Sequence, residues 1–134
     1  MTTGTTPADN SRASHALLTK APALAEAIVA EHYRLRPELN TRYGPAGRRH
    51  CLQDTLFHLQ FLAASVGIGD SNHFTRYVIW CNSILVPRGI PTDDLITSLE
   101  VMGWVLASAL PAETAELACR HVSDAVQSLR QPAG

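Results

Sequence analysis

Proline and glycine cut this chain into pieces of helical length, and that punctuation limits its folding choices more than any other feature. Pro37 closes one apolar-periodic segment; Gly44, Pro45 and Gly47 mark a break; Gly67 ends a second segment, Pro87 and Gly89 a third, and Pro111 opens the last. Proline disfavours a helical residue before it and suits the first helical position, whereas glycine accepts the left-handed conformation with which helices end. Between these marks apolar residues recur every three to four positions, and strand-type alternation is absent. The reading is all-α, five to six helices joined by short loops. Pattern alone leaves the choice between an up-down bundle and a globin-like arrangement open.

Residues 1–20 are rich in Thr, Ser and Ala, and Pro7, Asp9 and Asn10 interrupt any period, so a mobile N-terminal arm is expected. A helix is expected from near Pro22 through Leu24, Ala27, Ile28 and Glu31 to Leu35, and a loop with at most one helical turn over 37–47. The central helix runs from about Arg48 to Val66, with Gly67 as its stop. Asp70 or Ser71 caps a helix from Asn72 to Val86. Thr92, with Asp93 and Asp94 in the first turn, starts one reaching Ala109, and the last spans Ala112 to Arg130. Residues 21–130 are thus one domain, and 131–134 a C-terminal tail. There is no internal repeat.

Length and composition exclude several function classes. The 134 residues suit one domain with a real core, and 46% hydrophobic against 17% charged residues is globular rather than disordered. A formal net charge of −1 without a basic tail gives no electrostatic ground for nucleic acid or an anionic membrane as partner. No apolar run reaches bilayer length and no signal-peptide layout opens the chain, so a cytoplasmic protein is expected. Cys51, Cys81 and Cys119 are widely spaced and form no CxxC pair, which reads as reduced thiols. No Gly-rich phosphate loop or nucleophile elbow is present, and Cys51 lacks a recognisable catalytic signature around it. The spacing of His50, Asp54 and His58 matches no dedicated metal motif, so neither an enzyme nor a metal site is expected.

The informative stretch is Arg48-Arg49-His50-Cys51-Leu52-Gln53-Asp54-Thr55-Leu56-Phe57-His58-Leu59. Residues three and four apart share a helix face, so Cys51, Asp54 and His58 line up beside an apolar stripe of Leu52, Leu56, Leu59, Ala63 and Val66. A core helix needs only the apolar stripe. The polar line suits a tetrapyrrole: a thiolate can add to an unsaturated ring substituent, and a carboxylate accepts from the pyrrole N–H groups of an open-chain bilin. An imidazole can donate to a ring carbonyl or ligate haem iron. Arg48 and Arg49 would pair with propionates. The plainer reading is a small buried Cys, an exposed Asp and a surface His. In Arg76-Tyr77-Val78-Ile79-Trp80-Cys81, Tyr77 and Trp80 would wall a flat ligand and Arg76 would meet a carboxylate; the plainer reading is core or interface aromatics. The stripes Leu95, Leu99, Met102, Val105, Leu106 and Leu117, Val122, Val126, Leu129 read as core or dimer faces.

At Cys51-Leu52-Gln53-Asp54, then Phe57-His58-Leu59-Gln60, the chain resembles the phycobiliproteins, bilin-carrying relatives of the globins. The likeness continues through Gly67-Ile68-Gly69-Asp70 and Thr75-Arg76-Tyr77-Val78-Ile79, covering about Arg48 to Met102. It implies a globin-like fold, with Cys51 as the bilin attachment thiol, Asp54 as the carboxylate facing the pyrrole nitrogens, and Tyr77 as an aromatic beside the pigment. Gln53 stands where that family commonly has a propionate-pairing arginine, so Arg48, Arg49 or Arg76 would substitute, and His58 replaces an aromatic. The segment before Cys51 is shorter than the hairpin by which antenna subunits dimerise, which argues against antenna assembly. The chain is also similar to the N-terminal sensory domain of photocobilins, in its Gly-Asp turn, Tyr-Val-Ile-Trp run and Arg-Gly-Ile-Pro linker. Without a following Asp-x-His-x-x-Gly cobalamin signature, it would be the sensory half alone.

The expectation is therefore a bilin-binding photosensory domain, taking biliverdin or a relative, with Cys51, Asp54, His58, Arg48, Arg49, His50, Phe57, Arg76, Tyr77 and Trp80 as cofactor contacts. A homodimer is expected, with a cobalamin-binding or other output protein as partner. The alternatives are a haem-binding gas or redox sensor, with His58 or His50 on iron, and a pigment-free regulatory dimerisation domain.

Overall fold

The computed structural model describes residues 6–131, and among them there are five α-helices and no strand. α1 spans Pro7–Leu35, α2 Glu38–Ile68, α3 Ser71–Leu85, α4 Thr92–Ala109 and α5 Ala112–Arg130, with a short 3-10 turn at Val86–Arg88. α1 lies along α2, and α5 packs against α3 and α4. No helix among the described residues is long and apolar enough to cross a membrane.

The arm expected over residues 1–20 is, from Pro7 onward, the opening of α1; residues 1–5 lie outside the described residues. The residues read as breakers are a start signal. The Thr6 hydroxyl accepts the Asp9 N–H at 3.0 Å, the Asp9 carboxylate accepts the Thr6 N–H at 3.3 Å, and Pro7 occupies the first turn. This capping box satisfies donors that the first turn leaves free. Ala13, Leu17, Ala21, Leu24 and Ile28 then form one buried stripe, continuous across Pro22. Burying a leucine such as Leu17 is worth about 1.5–3 kcal/mol, which holds this segment on the core. Of the expected tail, residues 132–134 lie outside the described residues, and Gln131 is the C-cap of α5.

The loop expected over 37–47 is mostly helical. Residues 38–43 make a short helix that meets the rest of α2 at a kink, where Gly44 has φ 68° and ψ −174° and Pro45 restarts the helix. At its other end α2 runs past Gly67 to Ile68, and Gly69 is the left-handed C-cap with φ 72°, its N–H bonded to Ser65 O and Val66 O. Gly67 instead marks a close approach: a Cβ there would lie 3.2 Å from Ser14 Oγ on α1. Asp70 caps α3 by accepting the Asn72 N–H at 3.0 Å. The bounds of α4 and α5 are those expected.

The main core joins Leu17, Ile28, Leu59, Leu62, Phe74, Leu99, Met102 and Leu106. A satellite cluster of Val29, Tyr33 and Leu39, with Tyr43, Cys51 and Leu52 packed on it, lies under the short 38–43 helix. Residues of both clusters border a hollow beside α2.

Candidate ligand cavity

A cavity of about 570 Å³ lies between the end of α1, the two parts of α2, and the segment from Leu85 into α4. Pockets that hold small molecules and cofactors run roughly 300–1,000 Å³. α2 supplies the longest wall. Gly47, Cys51, Asp54 and His58 follow one another at steps of four, three and four, which keeps all four on one helix face and all four border the cavity. His32 and Tyr33 come from α1, Leu39 and Tyr43 from the short helix, Arg88 from the 3-10 turn, and Asp94 and Ser98 from α4.

Each polar group has a distinct state. Burial pushes the Cys51 thiol up to about 11, with Asp54 adding to that and a Thr55 hydrogen bond and Arg48 opposing it. The sulfur is therefore protonated at neutral pH and not a ready nucleophile. Desolvation raises the Asp54 carboxyl, opposed by the charges of His50 and Arg88. Asp54 is half-buried and, among the described residues, takes no hydrogen bond and no ion pair. Buried His58 is held to about 4 by desolvation, so its ring is neutral. Its Nδ1 lies 2.7 Å from the Tyr77 hydroxyl, and burial first of all pushes the Tyr77 phenol far up. When the phenol donates to Nδ1 the ring proton sits on Nε2, which has no partner among the described residues.

Asp94 closes the opposite end. Its buried carboxylate accepts from Tyr43 Oη at 2.7 Å, Arg36 Nη1 at 2.8 Å and Arg42 Nη1 at 3.2 Å. Desolvation alone would raise this carboxyl; the Tyr43 and Arg36 hydrogen bonds and the two arginine charges outweigh it and hold it below the usual carboxylate range. Groups on both flanks of the 38–43 helix are thereby tied to the first turn of α4.

Of the ten residues expected at a ligand, Cys51, Asp54, His58 and His50 border this cavity. Arg48 and Arg49 do not; with Glu26, Val29, Pro45 and Leu52 they line a separate open groove, and the Arg48 guanidinium lies over the Tyr33 ring at 4.6 Å from its centroid. Arg48 shares a face with Leu52, one turn on, which lines the same groove. Phe57 and Trp80 are 46% and 58% exposed and Arg76 is exposed, all away from the cavity. Tyr77 stands behind His58, stacked on Phe61 with centroids 4.0 Å apart, and braces the imidazole rather than lining the hollow.

Sequence reasoning passed over His32, Tyr43, Arg88 and Asp94. For His32 a signal existed, because it continues the buried stripe Ala21, Ala25, Ile28 and is a polar residue at a core position. For Asp94 there was none locally; it read as a carboxylate complementing a helix dipole, and its partners lie 51 to 58 residues away. No protein-family model matches the chain, and a search of curated proteins finds no significant match.

Proposed function

We propose that this chain binds a linear tetrapyrrole, biliverdin or a relative, in the cavity beside α2 and works as a light-sensing domain of globin-like, phycobiliprotein-like type. One observation carries the reading: Cys51, Asp54 and His58 border a single hollow of cofactor size, and among the described residues the Asp54 carboxylate has no donor. Partial desolvation already raises this carboxyl, and a ligand rich in N–H groups would supply the donors that stabilise its charged form. The resemblance over Arg48 to Met102 and the all-helical architecture point the same way.

A bound bilin supplies visible absorption and a methine bridge that isomerises in light. The protein's part follows from its own groups. Asp54 accepts from pyrrole N–H groups, and the free nitrogen of His58 donates to a ring carbonyl. Arg88, the guanidinium at the cavity, takes a propionate in place of Arg48 and Arg49. The protonated Cys51 thiol favours reversible binding over rapid covalent attachment. A change in packing at His58 passes directly to Tyr77 and from there to Phe61 and Trp80, which reach the surface. A homodimer or an output protein would sense it there.

Haem is the second reading, favoured by one observation: His32 and His58 are both buried at the cavity and both shifted toward the neutral imidazole that ligates iron. Adding biliverdin to the purified protein separates the two. A red or far-red band supports the bilin reading; a Soret band with haemin, lost in His58→Ala, supports haem. A free-biliverdin spectrum after mixing ends the first proposal.

A further inference from the structure

Among the described residues, His32 is the one with a buried side-chain nitrogen that has no partner. It comes from α1, is 4% exposed and borders the cavity, yet neither of its ring nitrogens bonds to a protein group among the described residues. Its Nδ1 is completely buried without a partner. The nearby Asp94 carboxylate accepts from Tyr43, Arg36 and Arg42 and makes no hydrogen bond to His32. Burial, with the Arg36 charge, keeps the ring neutral against the weaker pull of Asp94 and Glu38. A neutral imidazole carries one N–H donor and one acceptor. The buried Nδ1 left without a partner is destabilising, while Nε2 meets no protein group among the described residues and is the nitrogen left for a ligand.

We infer that His32 is a ligand contact of this cavity, a hydrogen-bond donor kept for a carbonyl oxygen of the bound molecule. The inference rests on the bilin reading and deepens it. A linear tetrapyrrole ends in two lactam carbonyls and carries its N–H groups along the chain between them. The cavity offers a matching set: imidazoles from two helices, His32 and His58, as donors and the Asp54 carboxylate as acceptor. A closed macrocycle lacks those terminal carbonyls and would meet His32 through its iron instead, so the donor role belongs to the open-chain pigment.

The test is a biliverdin titration of the full chain, wild type against His32→Leu and His32→Gln, followed by visible absorption, with thermal melts of the ligand-free proteins. Leucine is of similar size and has no polar atoms, so ligand-free His32→Leu melts at or above the wild type. Its Kd for biliverdin rises about tenfold, the loss of one good hydrogen bond. His32→Gln keeps an N–H donor and recovers part of that loss. Unchanged affinity and band position in both variants, with wild type binding, would overturn the role of His32 and leave the bilin reading standing. A lower melting temperature with unchanged affinity would mark His32 as structural, with the same consequence. No band with wild type would remove both.

Discussion

The Tyr77 hydroxyl and His58 Nδ1 of two buried residues lie 2.7 Å apart, joining α3 to the helix that carries the candidate site. The hydroxyl fixes which edge of the imidazole faces the cavity. In Tyr77→Phe the ring stacking on Phe61 persists while Nδ1 loses its partner, so the protein should lose about 1–3 kcal/mol of stability. Urea denaturation checks this; an unchanged midpoint would show that the pair is not a working hydrogen bond.

The same pair sets a pH dependence. His58 sits near 4 when folded, against an ordinary value of 6.5, because burial penalises its charged form. Its contribution is fully present above 6.5, and it is lost as pH falls from there toward 4, since the unfolded chain binds the proton first. From pH 7 to pH 5 the protein should lose about 2 kcal/mol through His58. His32 and His121, lowered first of all by burial, act in the same direction. Asp94, held below the usual 3.8, adds its loss at still lower pH. Urea midpoints at the two pH values test this: stability that stays flat between them would contradict a buried, neutral His58.

Asp94 fastens the 38–43 helix to α4 through Tyr43, Arg36 and Arg42. Asp94→Ala leaves those donors facing a cavity wall and should cost about 2–4 kcal/mol. Hydrogen exchange should speed up more over residues 38–43, next to the Gly44 kink, than in α5. Uniform acceleration across the chain would show that Asp94 supports the whole fold rather than this segment.

Two glycines two positions apart separate a cap from a packing contact. Gly69 has φ 72°, and a Cβ there would lie 2.9 Å from Asn10 Nδ2, so Gly69→Ala should cost about 1–2 kcal/mol. Gly67 is helical; in Gly67→Ala a helix-propensity gain of up to about 1 kcal/mol opposes the 3.2 Å approach to Ser14 Oγ, leaving a smaller change. Thermal melts rank the two, and the reverse order would place the helix end at Gly67.

What the sequence made legible follows from distance along the chain. Cys51, Asp54 and His58 fall on one face because helix phase is local, and the starts of α3, α4 and α5 are written in Asp70, Thr92 and Pro111. Local composition misled where one residue type has two uses: Pro7 and Asp9 read as breakers but build a cap, and Gly67 read as a cap but makes room for Ser14. Arg48 and Arg49 stand beside Cys51 in sequence yet on another face in space. The far wall, with His32, Tyr43 and Asp94, is assembled from segments that only the folded chain brings together.

The central claim is that Asp54 waits for the N–H groups of an open-chain tetrapyrrole. Biliverdin titrated into wild type and into Asp54→Ala, followed from the near ultraviolet to the far red, tests it most directly. A red or far-red band that saturates with wild type and is shifted or weakened in Asp54→Ala is the predicted result. A wild-type spectrum identical to that of free biliverdin, or a band indifferent to Asp54, would contradict the account.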